Sequence, residues 1–157
     1  PKPKPLVNGK PQEIDLIIKM PPPIPDIEPG SDEPGRPIHL KALTGLEYDQ
    51  TRISASPGER ISLTLENTDV MPHNWVMVRY EGYTNVGEKA DRMVNDPDAI
   101  AKQYIPEDRD ILHYTRLLNP GEKTTIHFNA PTAPGHYPFL CTFPGHWQVM
   151  RGYLIVY

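Results

Sequence analysis

Near the end of the sequence, CTFPGHWQVM sets Cys141, His146 and Met150 in the spacing C-x4-H-x3-M. A thiolate, an imidazole and a thioether in one short loop are soft and borderline donors, a combination that suits copper. A trigonal His2Cys set with a long axial thioether is the ligand pattern of blue copper electron-transfer sites. The second imidazole is expected from His73, in VMPHNWVMV, at the mouth of another strand. Each residue also has an ordinary role: a buried Cys fills space, a His hydrogen-bonds, and a Met packs a core. A single Cys by itself leaves an inert thiol, a nucleophile and a metal ligand all open. The conjunction favours the metal, because the donors flank a Pro-Gly loop between two strands while a partner His stands upstream.

Such a set needs a rigid frame. From Ile38 onward, short segments of period-2 alternation are bounded by Gly, Pro, Asn and Asp, which is how antiparallel strands of a sandwich read. The pattern predicts strands at residues 38–43, 47–55, 60–67, 74–80, 111–117, 122–128, 135–141 and 151–157. Turn signals stand at Ser56-Pro57-Gly58, Asn119-Pro120-Gly121 and Ala133-Pro134-Gly135. The expected class is all-β, a Greek-key sandwich of about eight strands. Residues 86–103, VGEKADRMVNDPDAIAKQ, are polar and rich in helix formers, so a short helical flap is expected outside the sandwich, with Pro97 starting or interrupting a turn. Prolines crowd residues 1–36, which therefore read as an arm or linker ahead of a domain at 37–157. The arm's apolar island, Ile14 to Met20, reads either as a docking strand or as solvated linker.

Composition narrows the function classes. A chain of 157 residues suits one domain plus an arm. A net charge of -4, from 16 basic and 20 acidic residues without a dominant run, lacks the footprint that nucleic-acid binding requires. No stretch reaches the roughly 18–20 apolar residues that span a bilayer. A start at proline reads as processed or trimmed, so any signal peptide or membrane tether is expected outside this sequence.

The motifs CTFPGH at 141–146 and MPHNWV at 71–76, supported by YIPEDRDILHYTRLLNPGEKTTIHF at 104–128, resemble the azurin and auracyanin type of cupredoxin over about residues 38–157. The resemblance implies one type 1 copper ion with His73, Cys141 and His146 as equatorial ligands and Met150 as the axial one. It also implies a weak axial role for the Pro72 carbonyl, although azurins carry Gly there and proline locks φ near -65°. The azurin disulfide is missing, since Cys141 is the only Cys, so the N-terminal strand is expected to be held by packing alone. By the same likeness, backbone N–H groups of Asn74 and Phe143 point to the Cys sulfur, and the Asn74 side chain ties the two ligand loops together. His146 becomes the electron exit, inside an apolar docking face of Met71, Pro72, Phe143, Pro144 and Trp147. Trp147 replaces a small residue of azurins and would widen that face or cover the exit. The implied partners are redox proteins such as cytochromes or other electron carriers, and the implied location is periplasmic or otherwise extracytoplasmic. Trp75 reads as core. His113 is expected near the surface, and His39, His127 and His136 face solvent or hydrogen-bond from strands.

Rival readings are weaker. A multicopper oxidase needs His on each side of the ligand Cys, whereas Leu140 and Thr142 flank Cys141, and the sequence has no H-x-H pair. A dinuclear centre needs two bridging thiolates. A Cys-His hydrolase lacks an orienting third residue. A copper-delivery module, or the copper domain of a larger redox protein, keeps the same ligands and remains the alternative.

Overall fold

The computed structural model describes residues 31–157 in full and, upstream, the backbone of two short paired strands, β1 (Leu6–Val7) and β2 (Lys10–Pro11). The island at Ile14 to Met20 lies outside the described residues.

Nine strands build a two-sheet sandwich. One sheet holds β4 (Glu47–Tyr48), β3 (Arg36–Leu43), β6 (Arg60–Asn67) and β9 (Lys123–Asn129), in that order. The other runs β5 (Arg52–Ala55), β11 (Arg151–Val156), β10 (Gly135–Leu140), β7 (Val76–Val78) and β8 (Ile111–Tyr114). Alternation sorts the faces as expected: Ile38, Leu40 and Ala42 of β3 point inward, as do Leu154 and Val156 of β11. They meet Leu63, Leu65, Trp75, Met77, Phe128 and Phe139 in one core, with Cys141 and Met150 in the same cluster.

The segment expected as one strand over 47–55 is two strands in different sheets, which is why nine are found. β4 pairs with β3, whereas β5 runs parallel to β11. Asp49 makes the corner: its carboxylate accepts from the Lys41 N–H at 2.8 Å, and its own N–H donates to the Lys41 carbonyl at 2.9 Å. The strands expected at 74–80 and 111–117 are likewise shorter than predicted.

The N-terminal strand is held by more than packing. β3 forms a parallel ladder with β6 from Arg36↔Ile61 to Ala42↔Asn67, and the Arg36 guanidinium pairs with Glu59 at 2.6 Å. Just before it, the buried Arg60 donates to the Glu33 carbonyl at 2.9 Å and to both oxygens of Ser31, docking residues 31–35 onto the domain.

The insertion is a helix, α1 (Tyr83–Arg92), flanked by 3-10 turns at Tyr80–Gly82 and Met93–Asn95. It starts three residues earlier than predicted and stops sooner. Asp96, ahead of Pro97, is extended at ψ 117°, because a residue before proline is pushed out of the helical region. Val86 and Ala90, one turn apart, are both buried, and Val86 packs against the outer face of the five-stranded sheet. This explains why all three residues of β7 are buried: Met77 faces the sandwich core while Val76 and Val78 lie under the flap with Leu140 and Trp147. Among the described residues no helix is long and apolar enough to cross a membrane.

Candidate metal centre

His73 is fixed by its backbone. It exchanges two hydrogen bonds with Leu118, donating at 3.1 Å and accepting at 2.8 Å, just ahead of β7. Cys141 follows the last residue of β10, and its N–H donates to the Met150 carbonyl at 3.1 Å, closing the loop that carries the other donors. Inside that loop the His146 N–H donates to Phe143, and the Met150 N–H donates back to His146 at 2.8 Å. Gly145 sits at φ 85°, a left-handed turn that a side chain would strain.

These elements converge on one point. The Cys141 Sγ lies 3.7 Å from His73 Nδ1 and 3.6 Å from His146 Nδ1. Two donors that share one ion, with sulfur at about 2.3 Å and nitrogen at about 2.0 Å, stand roughly 3.5–3.7 Å apart at tetrahedral to trigonal angles. The donor spacing therefore fits a single metal ion. His73, Cys141 and Met150 are fully buried, and His146 is 3% exposed.

Electrostatics prepare the donors. Burial pushes the Cys141 thiol up to about 11, while hydrogen bonds from the Asn74 and Phe143 backbones pull the other way. Those two N–H groups are the ones expected to reach the sulfur. Burial, then the neighbouring His73, lowers His146 to about 4, so its imidazole is neutral with a free lone pair at neutral pH. The Asn74 side chain ties the loops together: Oδ1 accepts from the Thr142 N–H and Nδ2 donates to the Thr142 hydroxyl, both at 2.8 Å. The buried Tyr48 hydroxyl donates to the Asn74 carbonyl at 2.6 Å. Phe143 is half-buried, its ring against His146 and Tyr104. Pro72 and Pro144 are half-buried, and Met71 is 40% exposed.

Trp147 is placed differently from the expectation. It is buried and turned toward α1. Its indole Nε1 donates to Asp91 at 2.7 Å, and its carbonyl accepts from the Tyr83 hydroxyl at 2.8 Å. The other Asp91 oxygen accepts from the Gly145 N–H at 2.8 Å, so one carboxylate holds the residues on both sides of His146. Gly87 lets the helix approach, since a β-carbon there would lie 2.2 Å from the indole. Sequence reasoning missed Asp91, Gly87 and Tyr83, because nothing in the spacing of α1 says which surface it covers. It also missed Asp69, whose carboxylate accepts from His73 Nε2 at 2.8 Å; its position four residues before the ligand was the available signal. That hydrogen bond holds the Asp69 carboxyl below its ordinary value.

The remaining histidines stay away from this cluster. His39 and His136 are exposed, His127 bonds Ser62 at 2.8 Å, and His113 stacks on Phe128, half-buried and lowered by desolvation. Trp75 is core, and among the described residues its indole N–H has no hydrogen-bond partner.

Comparison with known proteins agrees with this geometry. Auracyanin-A from Chloroflexus aurantiacus is 31% identical over 118 residues, covering 71% of this chain and 67% of that protein. Auracyanin-B from the same organism is 32% identical over 80% of this chain, which spans 54% of its length. The crystal structure of dithionite-reduced auracyanin from Roseiflexus castenholzii superposes with a TM-score of 0.67 at 33% identity, covering 80% of this chain and 99% of that one. Residues 39–157 match the family described as copper binding proteins, plastocyanin/azurin family, and the chain belongs to that family.

Proposed function

We propose that this protein is a one-electron carrier that docks transiently on redox proteins and is not itself an enzyme. The observation that carries the reading is the buried thiol with two imidazole nitrogens 3.6–3.7 Å away, completed by the buried Met150 thioether. Bound copper supplies a Cu(II)/Cu(I) couple in such a set. The protein's part is rigidity. Leu118 clamps His73, Asn74 locks the Cys141 loop to the His73 loop, and Asp91 holds the chain around His146. A frame so braced keeps the donor positions similar in both oxidation states, and that keeps reorganisation small.

His146 offers the shortest way out, because it keeps a sliver of surface while the other donors have none. Met71, Pro72, Phe143 and Pro144 supply the apolar docking face, without Trp147. Cytochromes or other small electron carriers are fitting partners, and an extracytoplasmic site of action is proposed on the family likeness. Metal delivery is less well supported, because exchange needs accessible donors.

The test is the visible spectrum of Cu(II)-loaded protein before and after a reductant, with Cys141→Ser as control. An intense thiolate-to-copper band that bleaches reversibly, and is lost in C141S, supports the reading. A colourless or pale protein refutes it.

A further inference from the structure

Asp69 is a buried carboxylate on a ligand, and the electron-carrier reading does not use it. Its side chain is 4% exposed and that of His73 is fully buried, with Oδ2 and Nε2 2.8 Å apart. The carboxylate is held from several sides. Oδ1 accepts from the Val70 N–H at 2.7 Å and from the Thr44 hydroxyl at 3.1 Å, while the Asp69 N–H donates to Asn67 Oδ1 at 3.0 Å. Asn67 in turn donates to the carbonyls of Met71 and Leu118, the same Leu118 that clamps His73. Among the described residues no Lys or Arg pairs with Asp69, and His146 has no carboxylate of its own.

We propose that Asp69 is a positioning residue for the metal centre, fixing His73 as the Nε2–H tautomer and lowering the site's reduction potential through a buried negative charge. The proposal rests on the copper reading above. A neutral imidazole carries one N–H. With a carboxylate accepting at Nε2, the proton stays there, and the lone pair of Nδ1 faces Cys141 and the metal position. The charge count gives the direction. A dication, a thiolate and the Asp69 carboxylate sum to zero in the oxidised site; one added electron leaves a net negative charge in a buried pocket, which is the costlier state. Removing the carboxylate charge therefore favours the reduced form.

The experiment is the Cu(II)/Cu(I) potential of D69N beside the unaltered chain, with both spectra recorded. Loss of an outer partner of this kind typically weakens metal affinity 10- to 100-fold. The expected result is a ratio of Cu(II) to Cu(I) affinity lower by about tenfold or more, equal to a rise of about 59 mV per tenfold for one electron, with the visible band retained. A band retained with the ratio within about twofold of the unaltered chain overturns the proposal. An asparagine can turn its amide toward His73, force the other tautomer and abolish copper binding, as a wrong tautomer disables other His sites. NMR of the unaltered Cu(I) protein then decides: a slowly exchanging His73 Nε2–H upholds Asp69 as the fixing partner, and a proton missing from Nε2 overturns it. An unaltered chain without the visible band refutes the electron-carrier reading instead, and this proposal falls with it.

Discussion

Replacing Gly87 with alanine should weaken this fold, although the same change normally strengthens a helix interior by about 1 kcal/mol. The new methyl would stand 2.2, 2.3 and 2.7 Å from Cδ2, Cε3 and Cε2 of Trp147. The indole cannot retreat easily, because Nε1 is bonded to Asp91 and the Tyr83 ring meets it edge-on at 5.4 Å. Overpacking costs about 1–3 kcal/mol, and the upper end applies where both partners are fixed, so the net loss in G87A is about 2 kcal/mol. Removing the indole reverses the sign. Trp147→Ala by itself costs about 3–5 kcal/mol, and in that background Gly87→Ala should gain about 0.5–1 kcal/mol. The coupling is then close to 3 kcal/mol, near the top of what contacting residues show. Urea unfolding of the four metal-free proteins, followed by circular dichroism, measures it directly. Effects that add within about 0.5 kcal/mol would refute the argument that α1 is seated by this contact.

Three further outcomes are expected. Asn74→Ala removes the buried link between the ligand loops and should cost about 2–3 kcal/mol in a urea titration, with a broadened visible band. Arg60→Ala frees the backbone of residues 31–33, and limited proteolysis should then cut near Ser31 to Gly35 faster than in the unaltered chain, with stability lower by about 1.5–3 kcal/mol. Copper at 100 times its dissociation constant should stabilise the protein by about 2.7 kcal/mol, read as a higher Tm that a chelator returns to the metal-free value.

The ligands were legible because their signal is chemical: Cys141, His146 and Met150 share a loop whose donor types name a metal, and the β-strands around them alternate plainly. What was not legible depends on partners far along the chain. Residues 47–55 alternate as one strand, and the corner at Asp49, bonded to Lys41 through side chain and backbone, divides them between two sheets. Trp147 stands beside a ligand in the sequence, which says nothing about direction; the gap that receives it is made by Gly87, sixty residues upstream. Asp69 was within reach, since a carboxylate four residues from a ligand His is a candidate partner whenever both are buried.

The parallel seam between β5 and β11 has a kinetic meaning. It pairs Arg52 with Tyr153 and Ala55 with Val156, partners separated by about a hundred residues, and closing so long a loop is entropically slow. The strand that makes this seam begins immediately after Met150 and also carries the far end of the ligand loop. Three of the four donors thus sit in a hairpin anchored by the most non-local pairing of its sheet. Copper that arrives early meets a chain whose Cys141, His146 and Met150 are tethered to each other but whose His73 waits on the rest of the sandwich. The metal would therefore find its full set of donors late in folding, and its uptake would report the completion of the fold.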